Sequence, residues 1–264
     1  MPEGHTLHRL ARAHQKSFAG QELEVSSPQG RFVEGAEWVT GHVLLRADAW
    51  GKHLLHRYDN GAIVHVHLGL YGKFTDQPVP MKDPVGQVRM RLVGRDKGTD
   101  LRGPTRCEIY DESDVDALVA RLGPDPLRRE SDPDKAFHRI HKSSVAIGAL
   151  LMEQDVIAGI GNVYRAELLF RHGVDPFLPG KKLDTERWNA MWVDLVELMK
   201  IGVRRGRIVT LRPEHDSAAS RGPGRPRSYV YKRTGLPCRI CGTPIRTQDM
   251  KGRNLFWCPT CQAD

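Results

Sequence analysis

Four cysteines near the C-terminus carry the clearest chemistry in this chain. Cys238 and Cys241 are separated by two residues, as are Cys258 and Cys261, and sixteen residues lie between the pairs. Two thiolate pairs on tight turns, joined by a short hairpin, make a tetrahedral zinc ribbon. The intervening sequence supplies that hairpin: Thr243 to Gln248 and Asn254 to Trp257 read as strands, and Met250 to Arg253 as the turn. Four thiolates leave no open coordination position, so the expectation is one structural Zn2+ ion, with no redox or nucleotide cofactor.

The ribbon lies in the most cationic part of the chain. From Lys200 to Gln262 there are fourteen Lys and Arg and three acids, a net charge of +11, against +8 for the whole chain. Such one-sided charge points to a polyanionic partner. The 264 residues and 39% hydrophobic content allow one large core or two modest ones. No apolar run is long enough to span a membrane, and the charged start shows no secretory signal. With four of five cysteines in a metal pattern, a reducing cytoplasm is expected. Cys107 reads as a small core residue.

Three further positions offer reactivity. Pro2 follows the initiator Met, and its small size favours removal of that Met. The exposed secondary amine would be a nucleophile able to form an iminium with a sugar aldehyde carbon. Glu3 is placed to shuttle a proton beside it. Lys52, after Trp50 and Gly51, enters a strand that would aim its ammonium at a phosphate or leaving group. Asp155 to Asn162 contains Gly159 and Gly161 and opens a helix, a ready phosphate clamp made of N–H groups and the Asn162 side chain. His65 and His67 share a strand face. No carboxylate is adjacent in sequence, so they read as a polar face and not as a metal site.

The elements that position these residues follow from periodicity. Leu7, Leu10, Ala11, His14 and Phe18 predict an opening helix ending near Gly20. Strands are predicted around Val43 to Ala47, His53 to Tyr58, Ala62 to Leu68, Gln87 to Val93 and Cys107 to Tyr110, with Asn60 and Gly61 as a hairpin turn. Helices are predicted over Asp114 to Leu122, Pro133 to about Lys142, Ser144 to Glu153, Asn162 to His172 and Asp184 to Arg204, and a loop over Gly206 to Ser228. The fold class is α+β. Its expected parts are an N-terminal β-sandwich over 1–123, a helical domain over 124–228 and a zinc ribbon over 229–264. The Arg221 to Arg227 stretch faintly resembles a minor-groove hook, and reads more simply as a basic loop attracting phosphates.

Pro2-Glu3-Gly4, Gly51-Lys52, His67 to Gly72, Arg121 to Pro124, Asp155 to Arg165 and the four-cysteine ribbon occur together and in order. Jointly they resemble the formamidopyrimidine-DNA glycosylase/endonuclease VIII family of base-excision repair enzymes. The resemblance implies a β-sandwich, a helix–two-turns–helix domain and a zinc hairpin acting on damaged DNA as a bacterial, nucleoid-associated monomer. It implies that Pro2 is the Schiff-base nucleophile, Glu3 the proton donor and Lys52 the residue serving β-elimination. Arg253 would serve δ-elimination and phosphate binding, Asn162 a phosphate contact and Arg121 a further DNA contact. Leu70 and Tyr71 would fill the gap left by an extruded base.

Pro2-Glu3-Gly4, Leu70 to Gly72 and Phe256 to Cys258 resemble the endonuclease VIII branch, which implies oxidised pyrimidines as substrates; His67 to Gly69 resemble the other branch. Thr6 stands where a glutamate is usual, His5 replaces a proline, and Gly69 replaces a DNA-contacting glutamine. A non-catalytic damaged-DNA-binding protein, expected if Met1 is retained, stays open as the alternative. A zinc-ribbon transcription factor would leave Pro2 and Lys52 without a role.

Overall fold

A computed structural model describes residues 2–216 and 227–263. Arg221 to Pro226 of the hook-like stretch therefore lie outside the described residues. The chain forms two compact units, Met1–Arg121 and Leu122–Asp264.

In the first unit, α1 (Gly4–Phe18) precedes β1 (Glu22–Ser26), α2 (Val33–Val39) and β2 (His42–Trp50). Next come β3 (His53–Tyr58), β4 (Ile63–His67), β5 (Lys73–Pro78), β6 (Val88–Val93), β7 (Lys97–Arg102), β8 (Arg106–Tyr110) and α3 (Glu112–Arg121). The strands are antiparallel in the order β5-β7-β6-β1-β2-β3-β4-β8, with β1 joining two halves of the sandwich. Leu23, Met90, Leu92 and Leu101 from one half and Leu54, Val64 and Val66 from the other bury together with Leu7 and Phe18 of α1. Cys107 is buried there as expected.

The register sets which ends meet. Gly20 N donates to Leu44 O (2.8 Å), Ala47 N donates to Gln15 Oε1 (2.8 Å), and His14 bonds His56 (2.9 Å). The C-terminal end of α1 therefore lies at the start of β2, and its N-terminus points toward the β2–β3 turn. Trp50 pairs His53 across that turn, leaving a two-residue loop of Gly51 and Lys52 in which Gly51 has φ +53°. His53 pairs His67, so the β4–β5 loop carrying Leu70 and Tyr71 emerges at the same end.

The second unit holds α4 (Pro133–His141), α5 (Ile147–Leu150), α6 (Asn162–Arg171), α7 (Thr185–Arg205), two short 3-10 turns, and the hairpin β9 (Arg246–Met250) with β10 (Arg253–Trp257). Asp132 caps α4 by accepting from Asp134 N, and Asp184 caps α7 by accepting from Arg187 N. Trp188, Met191, Trp192, Leu195, Leu198 and Met199 line the buried side of α7, as their spacing predicts. The ribbon shares a core with α6: Ala166 and Phe170 pack with Tyr229, Ile245 and Phe256.

One predicted helix is much shorter than expected. Ser144 to Glu153 forms only the four residues of α5. Ile147 N donates to Leu178 O (2.8 Å), Gly148 N donates to Pro176 O (2.9 Å), and Gly180 N donates to Val145 O (2.9 Å), so partners distant in sequence claim the groups an α-helix would use. The sequence reading also missed β1, α2, β5 and β7. In β5 the burial pattern is almost wholly exposed, so it offers no apolar alternation to detect.

Candidate active site and nucleic-acid interface

In the first unit the sequence-derived candidates gather at one end. Pro2 is half-buried and Glu3 fully buried, immediately before α1. There, the first N–H groups of the helix and its macrodipole favour a carboxylate charge. Burial pushes the neighbouring His5 down to about 4, so this imidazole stays neutral at physiological pH. Lys52 sits half-buried in the β2–β3 turn at the same end.

Leu70 and Tyr71 form an apolar loop tip, 41% and 85% exposed. The loop is held open by Gly69 at φ +64° and closed by Gly72, whose N donates to Leu68 O (2.9 Å). A Cβ at Gly69 would meet Thr105 Oγ1 at 2.5 Å, so a glutamine there is opposed by both the backbone and Thr105. Arg121 is exposed at the last position of α3. Val115 and Val119 of that helix pack on Leu55 and Trp50, which carries the helix C-terminus back toward the β2–β3 turn.

In the second unit Asn162 and Arg253 come together. Asn162 opens α6, 5% exposed, and its Nδ2 donates to Asn254 O (2.9 Å), next to Arg253 at the hairpin tip. Fully buried Arg165 links Asn162 Oδ1 to the carbonyl oxygens of Gly148 (3.3 Å) and Asn254 (3.5 Å). Lys251 takes φ +57° and Gly252 φ +68° in the tight turn, leaving Arg253 exposed. The loop over 155–161 is clamped by Leu122 to Pro124: Gly123 N donates to Gln154 O (2.9 Å), and Ala158 N donates to Pro124 O (3.0 Å). A Cβ on Gly123 would press into the Asp155 and Val156 backbone, which explains a glycine there.

Two features escaped the sequence reading. Glu167, fully buried on α6, accepts from Thr210 Oγ1 (2.6 Å) and from the backbone N–H groups of Tyr229 (2.7 Å), Val230 (2.9 Å) and Tyr231 (2.9 Å). This carboxylate seats the chain that enters the ribbon. Its one signal, an acid inside an apolar helix, has no pattern marking its partners. Glu167→Ala strands the buried N–H donors of Tyr229 and Val230 and the half-buried one of Tyr231, and should destabilise the second unit by about 3 kcal/mol, measured by chemical denaturation. The second feature is polar: His53 and Glu108 join His65 and His67 on one sheet face, which sequence adjacency did not reveal. His53 bonds His65 (2.8 Å) and His65 bonds Glu108 (3.1 Å) in a chain, while His67 bonds the Thr105 hydroxyl (2.9 Å). Among the described residues, the four cysteines alone converge as metal donors.

Those four Sγ atoms all lie within 4.8 Å of one another, with Cys238 to Cys261 at 3.8 Å and Cys241 to Cys258 at 3.5 Å. Thiolates about 2.3 Å from a tetrahedral ion stand about 3.8 Å apart, so the donor set fits such an ion. Cys238 N donates to Thr243 O (2.8 Å) and Cys261 N to Cys258 Sγ (3.4 Å), closing the two knuckles. Gln262 fastens the second knuckle to the helical unit by donating to Val174 O (2.9 Å) and accepting from Cys258 N (2.9 Å).

Comparisons with known proteins agree with this anatomy. Residues 1–106 match the family described as "Formamidopyrimidine-DNA glycosylase N-terminal domain", residues 122–212 its "H2TH domain", and residues 235–263 "Zinc finger found in FPG and IleRS". The chain is 60% identical over 267 residues to "Endonuclease 8 1" of Mycobacterium tuberculosis, covering 99% of this chain and 100% of that protein. It is 32% identical to a Thermus thermophilus formamidopyrimidine-DNA glycosylase, covering 85% and 84%. The fold also matches a solved Lactococcus lactis formamidopyrimidine-DNA glycosylase bound to DNA containing an abasic site (TM-score 0.81, 22% identity, 99% and 100% coverage). With three domain matches in order and a relative at 60% identity across its full length, the chain belongs to the formamidopyrimidine-DNA glycosylase/endonuclease 8 family.

Proposed function

We propose that this protein is a bifunctional DNA glycosylase and abasic-site lyase of base-excision repair, acting on oxidised bases and pyrimidines in particular. The observation that carries the reading is the gathering of Pro2, Glu3, Lys52 and the Leu70–Tyr71 loop at one end of the first unit, in a chain of this family. Once Met1 is removed, the Pro2 nitrogen attacks C1′ of the damaged nucleotide. The C1′–N bond to the base breaks, and the departing base and sugar oxygen exchange protons with Glu3. The iminium acidifies the C2′ hydrogens. Loss of one of them, served by Lys52, expels the 3′ phosphate; Arg253 serves the second elimination.

Asn162 and Arg253 suit adjacent phosphates, because the Asn162 amide at the start of α6 and the exposed Arg253 belong to one braced corner of the second unit. Leu70 and Tyr71 replace the stacking lost when the base is extruded, and Arg121 adds a backbone contact. Zinc is the ion suited to Cys238, Cys241, Cys258 and Cys261, where it supplies structure by holding the hairpin that bears Arg253. The working form is a monomer on DNA.

Borohydride trapping on a duplex bearing an oxidised pyrimidine tests this reading. Peptide mapping should place the reduced adduct on the Pro2 nitrogen of a chain lacking Met1. An adduct on another residue, or none from a chain shown by intact mass to begin at Pro2, removes the proposed nucleophile. Retained Met1 together with tight binding to damaged DNA would instead establish a non-catalytic binder.

A further inference from the structure

The C-terminal end of α7 and the segment that follows it enclose a recess of about 690 Å3 in the second unit. Six arginines line it: Arg204 and Arg205 from the helix, Arg207 and Arg212 from the returning segment, Arg171 from the end of α6, and Arg227. The chain reverses at Gly206, which takes φ +67° and donates its N–H to Gly202 O (2.9 Å). Helix and returning segment are thereby brought alongside one another, with Leu198, Ile201, Val209 and Leu211 as the apolar part of the wall.

This wall is braced from behind. Arg171 donates to both oxygens of Asp194 (2.7 Å each) and to Thr210 O (2.6 Å). Arg212 N donates to the Tyr229 hydroxyl (3.0 Å), and the Arg212 guanidinium donates to Arg171 O (3.4 Å). Burial raises Asp194, but the bonds from His172 and Arg171 outweigh it and hold this carboxyl at about 2, so it is ionised and matches the Arg171 charge. Arg204 is paired with Glu197 at 3.0 Å. Arg205, Arg207, Arg212 and Arg227 take part in no ion pair among the described residues. Against these four charges the recess holds one carboxylate, Asp216, and the negative end of the α7 dipole, leaving an excess of about +2.5.

Like charges held together in a concave wall repel one another and focus the field there, and both effects favour an anion of matching charge. Guanidinium groups grip phosphate oxygens with paired N–H donors. A recess of this size encloses a small ligand, whereas a duplex would meet only its rim. We propose that this recess binds a compact ligand carrying two or more contiguous phosphates, as in a nucleoside triphosphate or an inorganic polyphosphate. Arg205, Arg207 and Arg212 take the phosphates, and the apolar wall takes any organic body they carry. The recess borders Arg171, at the opposite end of α6 from Asn162, so it is distinct from the proposed phosphate-binding corner at Asn162 and Arg253.

Isothermal titration calorimetry on the full zinc-loaded chain, at about 0.1 M salt, tests the site with ATP, tripolyphosphate, AMP and inorganic phosphate. ATP or tripolyphosphate should bind with a Kd of roughly 10–100 μM, at least about tenfold tighter than AMP or inorganic phosphate. Arg205→Ala/Arg207→Ala should weaken that binding about a hundredfold, about tenfold for each guanidinium removed. Lys182→Ala/Arg187→Ala, which removes two exposed charges near the other end of α7, should leave it unchanged. Tighter binding of ATP than of tripolyphosphate places a nucleoside on the apolar wall; equal affinities identify a site for the phosphate chain alone. Should the arginine pair variant prove unstable, Arg212→Gln, whose backbone bond to Tyr229 remains, carries the test with about a tenfold loss. Equal weakening in the two double variants would overturn the site, because overall charge alone would then matter. So would the absence of saturable binding by both ATP and tripolyphosphate; a loss of duplex affinity confined to Arg205→Ala/Arg207→Ala would in that case give the cluster to the DNA backbone.

Discussion

Stripping the four-cysteine site of its ion should weaken binding to a lesion-bearing duplex by roughly a thousandfold while the β-sandwich unit stays folded. The ribbon has little apolar substance of its own: beyond Tyr229 and Val230, where the chain enters it, its buried apolar residues are Ile245, Leu255, Phe256, Cys238 and Cys258. Structural zinc contributes on the order of 10 kcal/mol to such modules at neutral pH, far beyond what a few side chains supply. Without the ion the hairpin loses its closing knuckles, and two consequences follow. Arg253 is no longer held at a fixed place. Asn162 also loses the Asn254 carbonyl that orients its amide, and Arg165 loses one of its acceptors.

Two charge-assisted or oriented phosphate contacts at about 2 kcal/mol each amount to about 4 kcal/mol, which is the thousandfold. The core of the first unit contains no ribbon residue, so its melting should not respond. Fluorescence anisotropy of a labelled duplex, with and without chelator, reads the first effect; circular dichroism melts read the second. Restoring zinc should restore affinity. A chelated protein that binds DNA at the original Kd would show that the ribbon does not hold the proposed phosphate-binding corner.

The ribbon was legible because metal ligation constrains sequence separation tightly. Thiolates must come in close pairs, and a turn with positive φ at Lys251 and Gly252 must join the strands between them. The long helix α7 was legible for a similar reason, since its apolar stripe repeats over 21 residues. The short α5 was not. Its residues favour a helix locally, and only tertiary bonds to Pro176 and Leu178 show that the chain turns away. In the first unit, Pro2, Glu3 and Lys52 were suggested by type and position, but their grouping with the Leu70–Tyr71 loop depends on strand register. No local signal announces that Trp50 pairs His53 while His53 pairs His67. The histidine line was hidden for the same reason: Glu108 lies forty-three residues from His65 and meets it only across β4 and β8.

Between pH 7.5 and pH 5 the β-sandwich unit should lose about 4 kcal/mol of stability through two core histidines. His14 on α1 and His56 on β3 are 1% and 0% exposed and share one hydrogen bond of 2.9 Å. Burial, and then the Lys97 charge, hold His14 down at about 3; burial, and then His14, hold His56 well below its ordinary value. Their remaining ring nitrogens, His14 Nε2 and His56 Nδ1, are buried without hydrogen-bond partners, as is the Tyr58 hydroxyl. A proton added there would be a buried, unpaired charge.

The sign follows from linkage. Both folded-state values are depressed, so both rings are neutral in either state above about 6.5, and the stability is fully present there. Below that, the unfolded chain binds two protons that the folded chain refuses, and stability falls by about 1.4 kcal/mol per pH unit for each ring until its folded value is reached, about 3 for His14 and well below the ordinary value for His56. Carboxylates contribute little above pH 5, so this window reads histidines; His5, His53, His65 and His67 of the same unit are also lowered and add to the slope. Guanidinium unfolding at pH 7.5, 6.5, 5.5 and 5 should give the steepening slope. Replacing both rings by leucine removes the two proton sites and the unpaired nitrogens together, and should remove about 4 kcal/mol of the loss between pH 7.5 and pH 5 relative to the parent. Because carboxylates, loops and the second unit are unchanged in that variant, an equal pH dependence in both proteins would mean that the proton uptake lies elsewhere and that the buried pair is merely packing.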